Sequence, residues 1–262
     1  MRENTLRTKW QRGQGTVNGW CAIPHPAATE FMAHCGWDSI TVDLQHGLVD
    51  YQAALGMLQA ISTTSVVPMA RVPWREAGVI MKLLDAGSYG IICPMVNNRA
   101  QAEEFVSYCR YAPKGQRSFG PTRATIYAGA DYGAKANDTV LAIAMIETVE
   151  AMSNLDAILS TPGLDGVYIG PADLALSMGH TPQLDPTEPK VLAEVKRIID
   201  TAKKHKVWSG MHCGAPAFAK RMMADGLNFA TLLSDARIMT MKATELVREM
   251  GIAVEGPKST TY

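Results

Sequence analysis

Eight short runs rich in β-branched and aromatic residues recur along the chain, each separated from the next by a longer stretch. The runs lie at 16–23, 38–44, 65–72, 89–96, 140–147, 166–170, 206–213 and 228–234. Helical apolar spacing fills 52–61, 77–86, 99–110, 149–160, 189–205, 215–225 and 235–250. A helix stripe returns every three or four residues, whereas short, continuous β-branched runs bounded by turn residues read as buried strands. Gly36, Gly87 and Gly226 stand just past helical stretches and just before strands, where a chain reversal favours glycine. Eight such repeats in 262 residues predict an α/β fold, a (β/α)8 barrel forming a single domain. A polar segment at 1–15 precedes it and a tail at 251–262 follows. The competing arrangement is an open doubly wound sheet. That fold normally announces itself with a glycine-rich first turn, and neither GxGxxG nor GxxxxGK[ST] occurs.

Bulk properties narrow the partners. With 25 basic and 25 acidic residues the chain has no net charge, so no footprint for nucleic acid is visible. No apolar run approaches the roughly 20 residues that span a bilayer, and the polar N-terminus has no signal-peptide core. The five cysteines are scattered without CxxC spacing, which suits reduced thiols rather than disulfides or a zinc ribbon. The expectation is a cytoplasmic protein acting on small molecules, with no nucleic-acid or membrane partner.

In a (β/α)8 barrel the C-terminal ends of the strands converge on one rim, where chemistry is done. Here those ends are ionisable. The second strand stops at Asp43, Gln45 and His46, the third carries Arg71, and the fifth ends at Glu147. The sixth runs into GPADLA, which puts Asp173 in the first turn of a helix, and the seventh ends at His212 and Cys213. Each has a bland reading: a turn histidine, a structural guanidinium, an acid favouring a helix dipole, a hydrogen-bonded core imidazole. Glu147 is the exception, because a carboxylate ending an apolar strand is costly to bury without a partner. Glu147 and Asp173 together offer two hard oxygens on neighbouring strands, the protein share expected around a Mg²⁺-type ion. Pro171 suits the first helical position, and the amides of Ala172 and Asp173 are then placed to receive an anion. No strand tip offers a lysine, which argues against Schiff-base chemistry.

The stretches DLQHG, RVPW, LLDAG, CPMV, RYAPKGQRSFGP, IETVEA and GVYIGPADLA resemble the class II pyruvate aldolases of the 4-hydroxy-2-oxoheptanedioate aldolase family. These belong to the phosphoenolpyruvate/pyruvate barrel superfamily. The resemblance runs from about Gly19 to Val247 and implies metal-dependent, reversible cleavage of a 4-hydroxy-2-oxo acid to pyruvate, or hydroxypyruvate, plus an aldehyde. It implies Glu147 and Asp173 as ligands of Mg²⁺, Mn²⁺ or Co²⁺, and Arg71 at the oxo group. It implies His46 as the base, with Asp43 orienting and polarising it. Gly170, Pro171, Ala172 and Asp173 would hold the oxo-acid carboxylate, and Trp20 would line the pocket. Asp85 would enter a neighbouring subunit's site in a homohexamer, and aromatic-compound catabolism is the implied setting.

Departures from the family pattern are Gln45 where glutamate is frequent, Met145 where glutamine is, His212 in place of an apolar residue, and LLSD on the last strand. His212 is thereby a candidate substrate contact. One irregular stretch, 111–135, carries Arg117 and Arg123. Read as following the fourth strand on the active rim, it makes Arg123 a candidate for the distal end of the aldehyde. Two alternatives stand beside the aldolase reading: an acyl-CoA lyase of the citrate lyase β type, and a non-catalytic barrel that binds oxo acids.

Overall fold

The computed structural model describes residues 1–254; part of the tail expected at 251–262 therefore lies outside the described residues. Eight parallel strands close into a barrel in sequence order. They are β1 (Thr16–Cys21), β2 (Ser39–Asp43), β3 (Val67–Arg71), β4 (Gly90–Cys93), β5 (Leu141–Ile146), β6 (Gly166–Ile169), β7 (Trp208–Cys213) and β8 (Phe229–Leu232). Closure is made by β1 on β8, with Val17 opposite Ala230. Every expected run contains its strand, trimmed by one to three residues at an end.

Alternation decides which side chains face inward. Along β5, Leu141, Ile143 and Met145 join an interior cluster with Tyr168 and Phe229, while Ala142, Ala144 and Ile146 pack outward under the helices. Glu147 continues the inward parity. The same count turns Trp20, Asp43, Arg71, Gly170 and His212 inward, because each stands two or four residues beyond inward positions of its own strand.

The helical layer follows the expected spans closely. It includes α3 (Tyr51–Ile61), α4 (Ala77–Asp85), α5 (Arg99–Cys109), α11 (Pro189–His205), α12 (Pro216–Ala224) and α13 (Asp235–Glu249). The stretch 149–160 forms two short helices, α8 (Val149–Ser153) and α9 (Leu155–Leu159), and GPADLA opens α10 (Pro171–Ser177). Gly87 and Gly226 adopt φ of 103° and 112°, the left-handed half of backbone space that a Cβ disfavours. No helix among the described residues is long and apolar enough to cross a membrane.

Two features depart from expectation. The polar N-terminal segment holds a helix, α1 (Thr5–Gln11), whose Leu6 and Trp10 are buried. Trp10 stacks on Phe229 with centroids 4.9 Å apart and so floors the barrel. The stretch 111–135 is not one irregular loop: it holds α6 (Thr122–Ala128) and the first half of α7 (Tyr132–Thr139). It also lies on the other rim. Helix α5 carries the chain from the end of β4 back to the start of β5, so everything after α5 belongs to the strand-beginning side. The remaining helix, α2 (Pro26–Ala33), packs against α3.

Candidate active site

The strand ends open on a cavity of about 550 Å³. Trp20, Asp43, His46, Arg71, Asp173 and His212 all line it, as does Ala172. Residues from five strands or the turns after them therefore meet at one rim.

Asp43 is the hub. Its carboxylate accepts Arg71 Nε at 2.8 Å and Nη2 at 2.6 Å, a two-pronged pair, and Trp20 Nε1 at 3.1 Å. Its Oδ1 also accepts the backbone N–H groups of Gln45 and His46, at 3.0 and 3.3 Å. Asp43 thus shapes the turn that carries His46, through the main chain. Burial pushes its carboxyl up, but the Arg71 guanidinium and the Trp20 and Gln45 donors outweigh that and hold it below the usual carboxylate range. The Arg71 guanidinium carbon sits 4.8 Å from the Trp20 ring centroid, so this cation is fixed by stacking as well as by its partner. His46 stands exposed at the rim.

Glu147 is set deeper, at 2% exposure. Its Oε1 accepts the Met95 N–H at 2.8 Å. Burial raises its pKa to about 7; the Met95 N–H opposes this, and the nearby Asp173 charge adds to it. Gly170 is required beside it, since a Cβ there would overlap Glu147 Oε2. This is a donor set for a hard divalent cation: one carboxylate whose burial calls for positive charge, a second carboxylate nearby, and a neighbour without a side chain. Among the described residues no group of three or more His, Cys, Asp or Glu side chains gathers into a metal cage.

His212 is 7% exposed and its ring meets Trp20 edge-on at 5.1 Å. Its Nδ1 lies 3.3 Å from the Tyr168 hydroxyl, which donates to Thr231 at 2.7 Å. Burial drives its pKa down to about 3, with the Arg71 charge adding to the effect, so the ring is neutral. It contributes wall rather than charge. Arg123 is not in this cavity. Its guanidinium donates to the Ala86 carbonyl and, at 2.9 Å, to Ser62 Oγ on the opposite rim. The expectation that it meets the aldehyde in its own barrel is corrected for that reason. Arg117 is buried beside it and pairs with Asp85 at 2.6 Å. Asp85 likewise lies at the strand-beginning rim, away from its own cavity.

Of the lining residues that the sequence reading did not name, one is charged. Arg237, in the first turn of α13, reaches the cavity together with Leu233 and Ser234. The periodicity of 235–250 absorbed it as an ordinary helix position.

Comparison with known proteins agrees with this geometry. Residues 18–240 match the family model described as HpcH/HpaI aldolase/citrate lyase. The chain is 39% identical over 246 residues to a hydroxypyruvate/pyruvate aldolase of Rhizorhabdus wittichii, covering 94% of this chain and 98% of that one. It is 32% identical to a 5-keto-4-deoxy-D-glucarate aldolase of Shigella dysenteriae, covering 93% and 95%. A crystal structure of an HpcH/HpaI aldolase/citrate lyase family protein from Burkholderia cenocepacia superposes with a TM-score of 0.88 at 27% identity, over 95% of this chain and all of that one. With its strand tips gathered at one rim and nearly its whole length matched, the chain belongs to the HpcH/HpaI aldolase/citrate lyase family of carbon–carbon lyases.

Proposed function

We propose that the protein is a divalent-metal-dependent aldehyde-lyase that cleaves a 4-hydroxy-2-oxo acid to pyruvate, or hydroxypyruvate, and an aldehyde. The observation that carries this is the meeting of the Asp43–Arg71 pair, His46 and Asp173 in one cavity, with the buried Glu147 close behind Asp173. A Mg²⁺, Mn²⁺ or Co²⁺ ion held by Glu147 and Asp173 would act as a Lewis acid on the 2-oxo group. The chain supplies the rest. Arg71, immobilised by Asp43 and Trp20, sets a positive charge where enolate oxygen charge develops. His46 takes the proton of the 4-hydroxyl, directly or through water. The C3–C4 bond then breaks, releasing the aldehyde and leaving the enolate, which takes up a proton at C3. No electrons are gained or lost overall. The amides of Ala172 and Asp173 stand in the first turn of α10, where no helical carbonyl precedes them, and suit the oxo-acid carboxylate.

The direct test is exchange of pyruvate methyl protons in D₂O, followed by NMR, since enolisation is the half-reaction common to every acceptor. Wild-type protein with Mg²⁺ exchanges them, and His46→Ala slows aldol cleavage about 10²–10⁴-fold. A wild-type protein that binds pyruvate without exchanging its protons is an oxo-acid-binding barrel instead.

A homo-oligomer is part of the same reading, a hexamer by resemblance. Helix α13 is fifteen residues long, yet Asp235 is its one buried residue, and Met239, Met241, Leu246 and Val247 are exposed on it. An apolar helix surface of that kind is normally covered. Asp85, which faces away from its own cavity, can reach substrate only in another copy. Sedimentation shows an assembly larger than a monomer, and Leu246→Asp with Val247→Asp shifts it toward protomers at equal concentration. A monomeric, fully active wild type at assay concentration removes this part of the reading.

A further inference from the structure

We infer that Arg75 is a positioning residue for the metal site: it holds the Met95 backbone in the orientation that points the Met95 N–H at Glu147. The inference rests on the divalent-metal reading above and assigns a role to a residue outside the cavity lining.

Two independent observations carry it. The first is backbone strain. Among the described residues, three other than glycine hold a positive φ: Met95 at 54°, Lys206 at 59° and Leu233 at 52°. Lys206 caps the end of α11, where helices commonly finish in a left-handed residue. Met95 and Leu233 instead stand just past β4 and β8, on the active rim. A methionine Cβ crowds its own backbone in this region. The conformation persists only where surrounding contacts impose it, and residues of this kind cluster at functional sites.

The second observation is what the two ends of Met95 touch. Its N–H donates to Glu147 Oε1 at 2.8 Å, and its carbonyl accepts Arg75 Nη1 at 2.9 Å. Arg75 follows β3, so the loop of the neighbouring strand reaches across and clamps the turn after β4. The guanidinium is itself held in place. Its carbon lies 5.4 Å from the Trp74 ring centroid, and its Nε is 3.5 Å from Glu104 Oε2 on α5. A relay of contacts thus runs from α5 through Arg75 and the Met95 backbone to the Glu147 carboxylate.

The consequence falls on that carboxylate. With Oε1 taken by a backbone N–H, Oε2 is turned toward Gly170, where an added Cβ would overlap it. Gly170 opens α10, which carries Asp173 in its first turn. The Met95 amide therefore selects the oxygen that Glu147 presents to the side where Asp173 stands. Outer partners of this sort orient a ligating group, and losing one typically weakens metal binding about 10- to 100-fold. Removing the Arg75 clamp lets the methionine backbone relax toward negative φ and swings its N–H away from Glu147.

The experiment measures Mn²⁺ binding by calorimetry on wild type, Arg75→Met, Arg75→Lys, and Arg75→Met combined with Met95→Gly. Arg75→Met weakens binding about 10- to 100-fold. Arg75→Lys keeps a donor for the Met95 carbonyl and loses less. Glycine takes positive φ freely, so adding Met95→Gly lets the turn hold without its clamp, and the double variant binds Mn²⁺ more tightly than Arg75→Met alone. A general loosening of the fold does not give that recovery, since glycine would loosen it further. Thermal melts in chelator show which variants are folded. If Arg75→Met is not, the same comparison is made on Arg75→Lys with and without Met95→Gly. Unchanged Mn²⁺ affinity in the Arg75 variants overturns the proposal, as does a double variant that binds no more tightly than the single one. A wild type that binds no Mn²⁺ overturns the metal reading itself, and that is seen without any Arg75 variant.

Discussion

Glu147→Gln abolishes both turnover and divalent-metal binding while leaving the barrel folded. The change is nearly isosteric, so the inward tip of β5 stays filled and the Met95 N–H keeps an acceptor. What disappears is the charge. In the metal-free wild type that charge is a burden: the carboxyl ordinarily titrates at 4.5 and burial moves it to about 7 in the fold. Between those values the folded state holds a proton that the unfolded chain has released. Stability therefore falls as pH rises through this window, by about 3 kcal/mol once the group is fully ionised. Thermal melts in chelator show the descent in wild type from pH 5 to 8 and a flatter profile in Glu147→Gln. Mn²⁺ restores wild-type stability at pH 8 and leaves the variant unmoved, which calorimetry of Mn²⁺ binding checks directly. Gly170→Ala gives a milder form of the same loss, because its Cβ must displace Glu147 Oε2. A Glu147→Gln protein that still bound Mn²⁺ and turned over would sink the metal assignment.

The strands were legible because their inward and outward neighbours differ in chemistry. In LAIAMIE the outward residues are small or branched and pack under helices, the inward ones are large, and Glu147 breaks the run at the tip. A carboxylate ending such a run has few bland explanations, so the site could be read from the same letters as the strand. Helix α1 was not legible. TLRTKWQ buries only Leu6 and Trp10, too few apolar positions to set a helical period, and its place is fixed by packing on Phe229 rather than by propensity.

Arg123 and Arg237 show the same limit from opposite sides. Both are arginines outside any strand, and sequence proximity to β4 made Arg123 the candidate. Proximity along the chain is the wrong measure once a helix intervenes, because α5 returns the chain to the far rim before Arg123 is reached. Arg237 follows β8 with no such return, three residues past the Ser234 cap, and so stays at the active rim. It was hidden because the helical period of 235–250 explained the position well enough. The role of Asp43 was only partly legible for a related reason. A carboxylate three residues before a histidine draws the eye to that histidine, and nothing in the letters between them shows that the fold also binds it to the His46 amide and gives it Arg71 as a charge partner, brought alongside by the β2–β3 register.

Arg71→Lys lowers kcat about 10²–10³-fold and slows pyruvate proton exchange in parallel, although the charge is kept. The reason lies in the geometry of the fork. Arg71 meets Asp43 through two nitrogens and stacks on Trp20; a lysine ammonium is a point charge that can satisfy one prong and cannot stack in the same plane. Catalysis and stability are then separable by a second pair of variants. Arg71→Met leaves the Asp43 carboxylate buried without its cation and costs about 3–5 kcal/mol. Asp43 titrates below its ordinary value in the fold, so it adds stability above pH 4 that is lost as pH falls through the folded value. Arg71→Met therefore loses most above pH 4 and least in strong acid. Adding Asp43→Leu removes the stranded charge as well, and the double variant regains much of the melting temperature. It does not regain activity, because no positive charge then faces the developing enolate and the turn bearing His46 has lost the acceptor of its amides. Recovery of stability without recovery of proton exchange assigns the pair to chemistry. Recovery of both would reduce Arg71 and Asp43 to a structural clasp at the mouth of the barrel.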